Sequence, residues 1–204
     1  MSYERLDRQL KAFSDRLIEA VGLNEQETGK VATSVAAEVR FLKPGSRAEV
    51  HAAGPVPLRA RLDELQAFQA WMDVASAVRG NAAVTRAQVI VQNYVCFVYL
   101  GEACFRALRK VSKPSSVTRR CCAYLTDNPI RAFRNAIAHS NWTYAPDFRG
   151  LVYWARKGSD LEEALSRFEV SQRDLDFWQA LSRGVAYAAY TSIEAAQGRR
   201  PPSS

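Results

Sequence analysis

The run from Ala83 to about Lys110 keeps helical periodicity, and its middle, Tyr94 to Leu100, is apolar on every side. A helix of that kind must be surrounded by other elements rather than laid on a rim. It is expected to be the centre of a helical bundle, and the rest of the chain reads as what packs around it. Leu6, Leu10, Phe13 and Leu17 recur at helical spacing and predict a first amphipathic helix over about residues 3 to 20. Asn24, with Glu27 three residues later, has the pattern of a capping box and opens a second helix ending near Leu42, before Lys43-Pro44-Gly45. Residues 43 to 56 read as a Pro-, Gly- and Ser-bearing loop and a candidate domain seam. Beyond it, Leu58, Leu62, Leu65, Phe68, Met72, Ala75 and Val78 form a helical stripe that stops at Arg79-Gly80-Asn81.

After Lys113-Pro114 a helix is expected over about Val117 to Leu125, and Asp127-Asn128-Pro129 starts another that runs to about His139. Leu151 to Trp154 and Arg167 to Val170 read as a small β-hairpin. Ser171 with Asp174 caps a last long helix that reaches about Ala196. The expected fold is therefore all-α, an up-and-down helical bundle with a small β-hairpin before the last long helix. Residues 1 to 56 form an N-terminal helical pair and loop packed on it, residues 57 to 197 form the main helical domain, and residues 198 to 204 form a disordered tail.

The 204 residues are 48% hydrophobic, enough to build a full core without staples of metal or disulfide. Cys96, Cys104, Cys121 and Cys122 show no zinc-ligand spacing, and His51 and His139 lie far from them in sequence, so buried reduced thiols and no metal are expected. The N-terminal MSYERLDRQLKAF is charged from its fourth residue, and the most apolar window, Val89 to Leu100, is interrupted by Gln92 and Asn93. Neither a secretory signal nor a membrane span is expected, which points to a cytoplasmic protein. Twenty-eight Lys and Arg against 21 Asp and Glu leave a net charge of +7 with arginine in excess, a balance that favours a polyanionic partner such as RNA or DNA and also fits a protein with no nucleic acid partner.

Polar chemistry concentrates on the short helix from Arg131 to His139. Asn135 and His139 are four residues apart and share a face, Arg131 lies one turn earlier, and Arg134 flanks them. Phe133 and Ile137 on the other face are placed to hold that stripe against the bundle. Such a set has the parts for cleaving RNA without metal. An imidazole moves a proton at a ribose 2′-hydroxyl or a leaving 5′-oxygen, and a guanidinium holds the scissile phosphate. The bland alternative is that His139 caps a helix C-terminus, where a cation is favoured.

The segment RNAIAHSNW resembles the motif of HEPN domains, with Arg134, Asn135 and His139 on its arginine, polar and histidine positions. The resemblance covers roughly residues 58 to 197, and the stretch from Arg167-Phe168-Glu169-Val170-Ser171 to Phe177-Trp178 is similar to a plasmid-associated HEPN subgroup. It implies a five-helix up-and-down bundle and a homodimer that brings two motifs face to face. The implied activity is a metal-independent endoribonuclease, used as a toxin or in defence against phage, with no cofactor. In it Arg134 and His139 act on the phosphodiester and Asn135 positions them; Arg131, Ser140, Asn141 and Tyr144 are weaker candidates for substrate contact. HEPN toxins silenced by a partner nucleotidyltransferase carry a tyrosine two residues after the histidine, where this chain has Asn141. An antitoxin or regulator would therefore act in another way. The rival expectation is a non-catalytic HEPN-like module that binds nucleotide or RNA, or serves as a scaffold.

Two further groups are candidates for an RNA surface. Arg106, Arg109, Lys110, Arg119 and Arg120 either extend it or are solvated helix faces. Trp142, Tyr144, Tyr153 and Trp154 either stack bases or belong to core and dimer interface.

Overall fold

The computed structural model describes residues 3–39, 82–145, 149–156 and 163–197. The helix expected over 58–78, the loop over 43–56 with His51, and the tail over 198–204 lie outside the described residues.

Helix α1 (Tyr3–Val21) ends where Gly22 turns into the left-handed region at φ 74°. There the Gly22 and Leu23 N–H groups donate back to the Ile18 and Leu17 carbonyls, and the Gly22-to-Ile18 bond is that of a left-handed (αL) cap, which suits glycine. The expected capping box is present, with Asn24 Oδ1 accepting from the Glu27 N–H at 3.0 Å and Glu27 Oε2 from the Asn24 N–H at 2.9 Å. The helix it opens is shorter than expected. Helix α2 (Glu25–Thr28) stops at Gly29, and α3 (Val31–Val39) restarts after it. Val35 and Val39 of α3 are buried in the same core as the later helices, and Ser192 Oγ donates to the Ala36 carbonyl at 2.8 Å.

The central helix spans residues 82–111 as α4 (Ala82–Asn93), two π-helical stretches (Tyr94–Tyr99 and Gly101–Phe105) and α5 (Arg106–Val111). Phe97, Leu100, Cys104, Phe105 and Leu108 are fully buried along it. It is not apolar-packed all round, because Ile90 and Tyr94 are about half exposed. Helix α6 (Val117–Thr126) begins with Ser116 Oγ accepting from the Arg119 N–H, and α7 (Ile130–Ala138) follows between Pro129 and His139.

The expected hairpin proves to be two strands of a three-stranded antiparallel sheet. Its strands β1 (Trp142–Tyr144), β2 (Gly150–Ala155) and β3 (Ser166–Ser171) lie in that order. Three residues are too few for a period-two pattern to register, which is why β1 escapes a reading of the sequence. In the register Trp142 faces Tyr153, and Trp154 faces Arg167. Alternation sends Leu151, Tyr153 and Ala155 into the core and turns Trp154 and Arg156 to the opposite side. Helix α8 (Gln172–Gln197) is capped as expected, by Ser171 Oγ accepting from the Asp174 N–H at 3.1 Å. The fold is thus mostly helical with a small antiparallel sheet. Among the described residues no helix is long and apolar enough to cross a membrane.

Phe133 joins these layers. Its ring lies 5.3 Å from Phe97, 5.6 Å from Trp178 and 5.2 Å from Tyr153, centroid to centroid, so the central helix, α8 and β2 all grip α7.

Candidate functional site

With Ile130, Phe133, Ala136 and Ile137 buried, α7 has one rotation about its axis open to it, and Arg131, Arg134, Asn135 and His139 come out on the free side. There they line a cleft of about 300 Å³ together with Asn141. Its other wall comes from Arg106 at the start of α5 and from Trp154 and Arg156 at the end of β2.

Arg134 is held from two sides. Its Nη1 donates to Asn135 Oδ1 at 2.7 Å, and its Nη2 pairs with Glu102 Oε1. The second oxygen of Glu102 takes Arg106 Nη1 at 2.6 Å, so one carboxylate serves two guanidiniums. Arg131, Arg156 and the His139 imidazole have no ion-pair partner among the described residues. Among the described residues four guanidiniums therefore line the cleft, with one carboxylate, that of Glu102, paired to two of them. The buried Nε atoms of Arg134 and Arg156 also lack an acceptor among the described residues. A donor left without a partner out of water is costly, and an anion's oxygens are what would satisfy it.

The end of α7 is shaped by a Schellman termination. Ser140 sits at φ 57°, its N–H donates to the Ile137 carbonyl, and the Asn141 N–H reaches the Ala136 carbonyl at 2.8 Å. Asn141 then accepts the Trp154 N–H at 2.9 Å through its own carbonyl, which pins the cap to β2. Gly22 holds this left-handed position at the end of α1, whereas Ser140 carries a Cβ into it. Ser140→Gly is expected to stabilise the fold by about 1 kcal/mol, read as a higher urea midpoint; an unchanged or lower midpoint would mean that the left-handed turn carries no strain.

Of the residues singled out in the sequence, Arg131, Arg134, Asn135, His139 and Asn141 come together in the cleft, and Ser140 and Tyr144 do not line it. Ser140 acts through the turn, and Tyr144 lies on β1 with its ring 5.6 Å from Trp142. Tyr153 is buried in the core rather than offered to a base. Most of the arginines expected to extend the surface are tied up in the fold. Arg119 donates to the Arg109 and Ser112 carbonyls, Arg120 to the Gly22 carbonyl and Glu27, and Arg109 to Thr126 and Asp127. Arg106 alone of that set lines the cleft.

Glu102 and Arg156 were not legible as site residues. Glu102 had a signal in retrospect, since it lies one turn before Arg106 on the same helix face. All four cysteines are buried free thiols, and among the described residues no three His, Cys, Asp or Glu side chains converge as metal ligands. Compared with known proteins, the chain matches no family model, no curated protein and no solved structure.

Proposed function

We propose that this chain is a metal-independent endoribonuclease of HEPN type, a cytoplasmic homodimer that serves as a toxin or a defence effector. The observation that carries the reading is the shared cleft: Arg134, Asn135 and an unpaired His139 line one wall of a pocket with four guanidiniums. A phosphodiester fits that charge, and fork-shaped donors suit its non-bridging oxygens. In the reaction the ribose 2′-oxygen attacks phosphorus while its proton passes to a base. The bond to the 5′-oxygen breaks, and that oxygen takes a proton from an acid. No water is consumed, and the products are a 2′,3′-cyclic phosphate and a 5′-hydroxyl. Among the described residues one imidazole lines the cleft, so His139 of a second copy supplies the other proton-transfer group, in an isologous dimer built across this face.

The test is incubation of the purified protein with total RNA in excess EDTA, followed by mapping of new ends. Fragments ending in 2′,3′-cyclic phosphate are expected. Intact RNA over a wide range of protein concentration would reject the nuclease reading.

One observation favours the rival, a non-catalytic nucleotide-binding or scaffold protein: Arg134 is already engaged by Glu102 and Asn135. In a scaffold, Arg134→Ala loosens the fold or the dimer; in the nuclease it removes turnover and leaves both standing.

A further inference from the structure

We propose that Trp154 and Arg156 form a base-binding subsite beside His139, which makes unpaired RNA rather than duplex the preferred substrate. This rests on reading the cleft as an RNA site. Three tryptophans lie among the described residues, and two of them have ring partners within the fold. Trp178 packs on Phe97 and Phe133 and donates its indole N–H to Tyr124 Oη at 3.0 Å, and Trp142 meets Tyr144 edge to face. Among the described residues Trp154 has neither a ring partner nor a hydrogen bond for its indole. It stands half-buried on the wall of the cleft.

Its position is fixed rather than adaptable. The Trp154 N–H donates to Asn141, and β2 is paired on both edges, so the ring is presented from a strand clamped to the end of α7. Strand alternation puts Arg156 on the same side as Trp154, with its buried Nε unpaired. A half-buried indole next to a guanidinium whose buried Nε has no acceptor among the described residues matches the two parts of a nucleotide, a flat base to stack and a phosphate to bond. A base engaged in a duplex has both faces covered, so it reaches an indole only when splayed out. A cleft of about 300 Å³ is also at the small end for ligand pockets, room for a nucleotide and not for a helix.

The experiment uses a short mixed-sequence RNA with 2′-O-methyl riboses, which lacks the attacking hydroxyl, offered to the full chain as a single strand and as a blunt duplex. Trp154→Ala is expected to weaken single-strand binding by about 10-fold to 100-fold. Duplex binding should change by less than about threefold, and Trp154→Phe should restore most of the lost affinity, which also shows that the strand still folds. Arg156→Ala should weaken both. Equal losses on both probes, no loss on either, or a dissociated dimer with RNA affinity intact would overturn the subsite. Failure of the two readings is distinguishable. A chain that cleaves no RNA yet shows the Trp154-dependent preference keeps the subsite and loses the nuclease, and one that cleaves with unchanged KM after Trp154→Ala does the reverse.

Discussion

His139→Ala is expected to lower RNA cleavage by about 10²-fold to 10⁴-fold, the usual loss when a positioned acid or base is removed. Stability should stay within about 0.5 kcal/mol of the parent, because the side chain is exposed and makes no hydrogen bond or ion pair among the described residues. What His139 gives to the fold comes from its backbone, whose N–H donates to the Asn135 carbonyl at 3.1 Å, and alanine keeps that bond. Arg134→Ala should lose activity as well, but it also frees Glu102 to face Arg106 alone, so it is the less clean variant. Asn135→Ala isolates positioning: it removes the acceptor that fixes Arg134 and leaves both catalytic groups in place. A smaller loss is expected there, in kcat more than in KM. Single-turnover cleavage in EDTA with thermal melts of each variant decides the matter. A folded His139→Ala protein with full activity would remove His139 from the chemistry.

The sequence carried the local parts of this site and not their meeting. The face of α7 could be read because Phe133 and Ile137 fall on one side of a helix while Arg131, Asn135 and His139 fall on the other. The caps at Asn24 and Ser171 could be read because each is settled within four residues. The break at Gly29 was missed, since a continuous helix over Val31–Val39 looks the same whether or not one turn before it is distorted. Glu102 lies 32 residues before Arg134, and nothing local ties the two; only the packing of α7 on the central helix brings them together. Tyr153 and Trp154 are adjacent, so alternation requires that one enter the core and the other leave it. Arg156, two residues on, marks the outward side, and read that way the sequence does separate the core tyrosine from the cleft tryptophan.

The buried thiols lead to the largest expected change in stability. Burial pushes Cys96 up to about 11 and Cys104 and Cys121 up to about 12, and Cys122 is raised well above its ordinary value by burial and by the neighbouring Cys104 and Cys121. Below about pH 8 these thiols are neutral in both folded and unfolded chains and contribute no pH dependence. Above about pH 9 the unfolded chain releases the protons while the native core retains them, so the unfolded state binds fewer protons and stability falls as pH rises. Each thiol contributes up to about 1.4 kcal/mol per pH unit, and four together on the order of 5 kcal/mol per unit. Against a total stability of about 5–15 kcal/mol, the chain is expected to unfold near about pH 10 to 11, before the native thiols themselves titrate. Burial also raises Tyr124 and Tyr153, but from an ordinary value of 10.0, so their share begins later. Urea midpoints measured from about pH 8 to about pH 10 check the slope. Cys104→Ala should lower stability at neutral pH through the cavity it leaves, yet flatten the alkaline slope by about a quarter, one thiol of the four. A parent midpoint constant over that range, or a slope untouched by Cys104→Ala, would show that the thiols are not held neutral by the core.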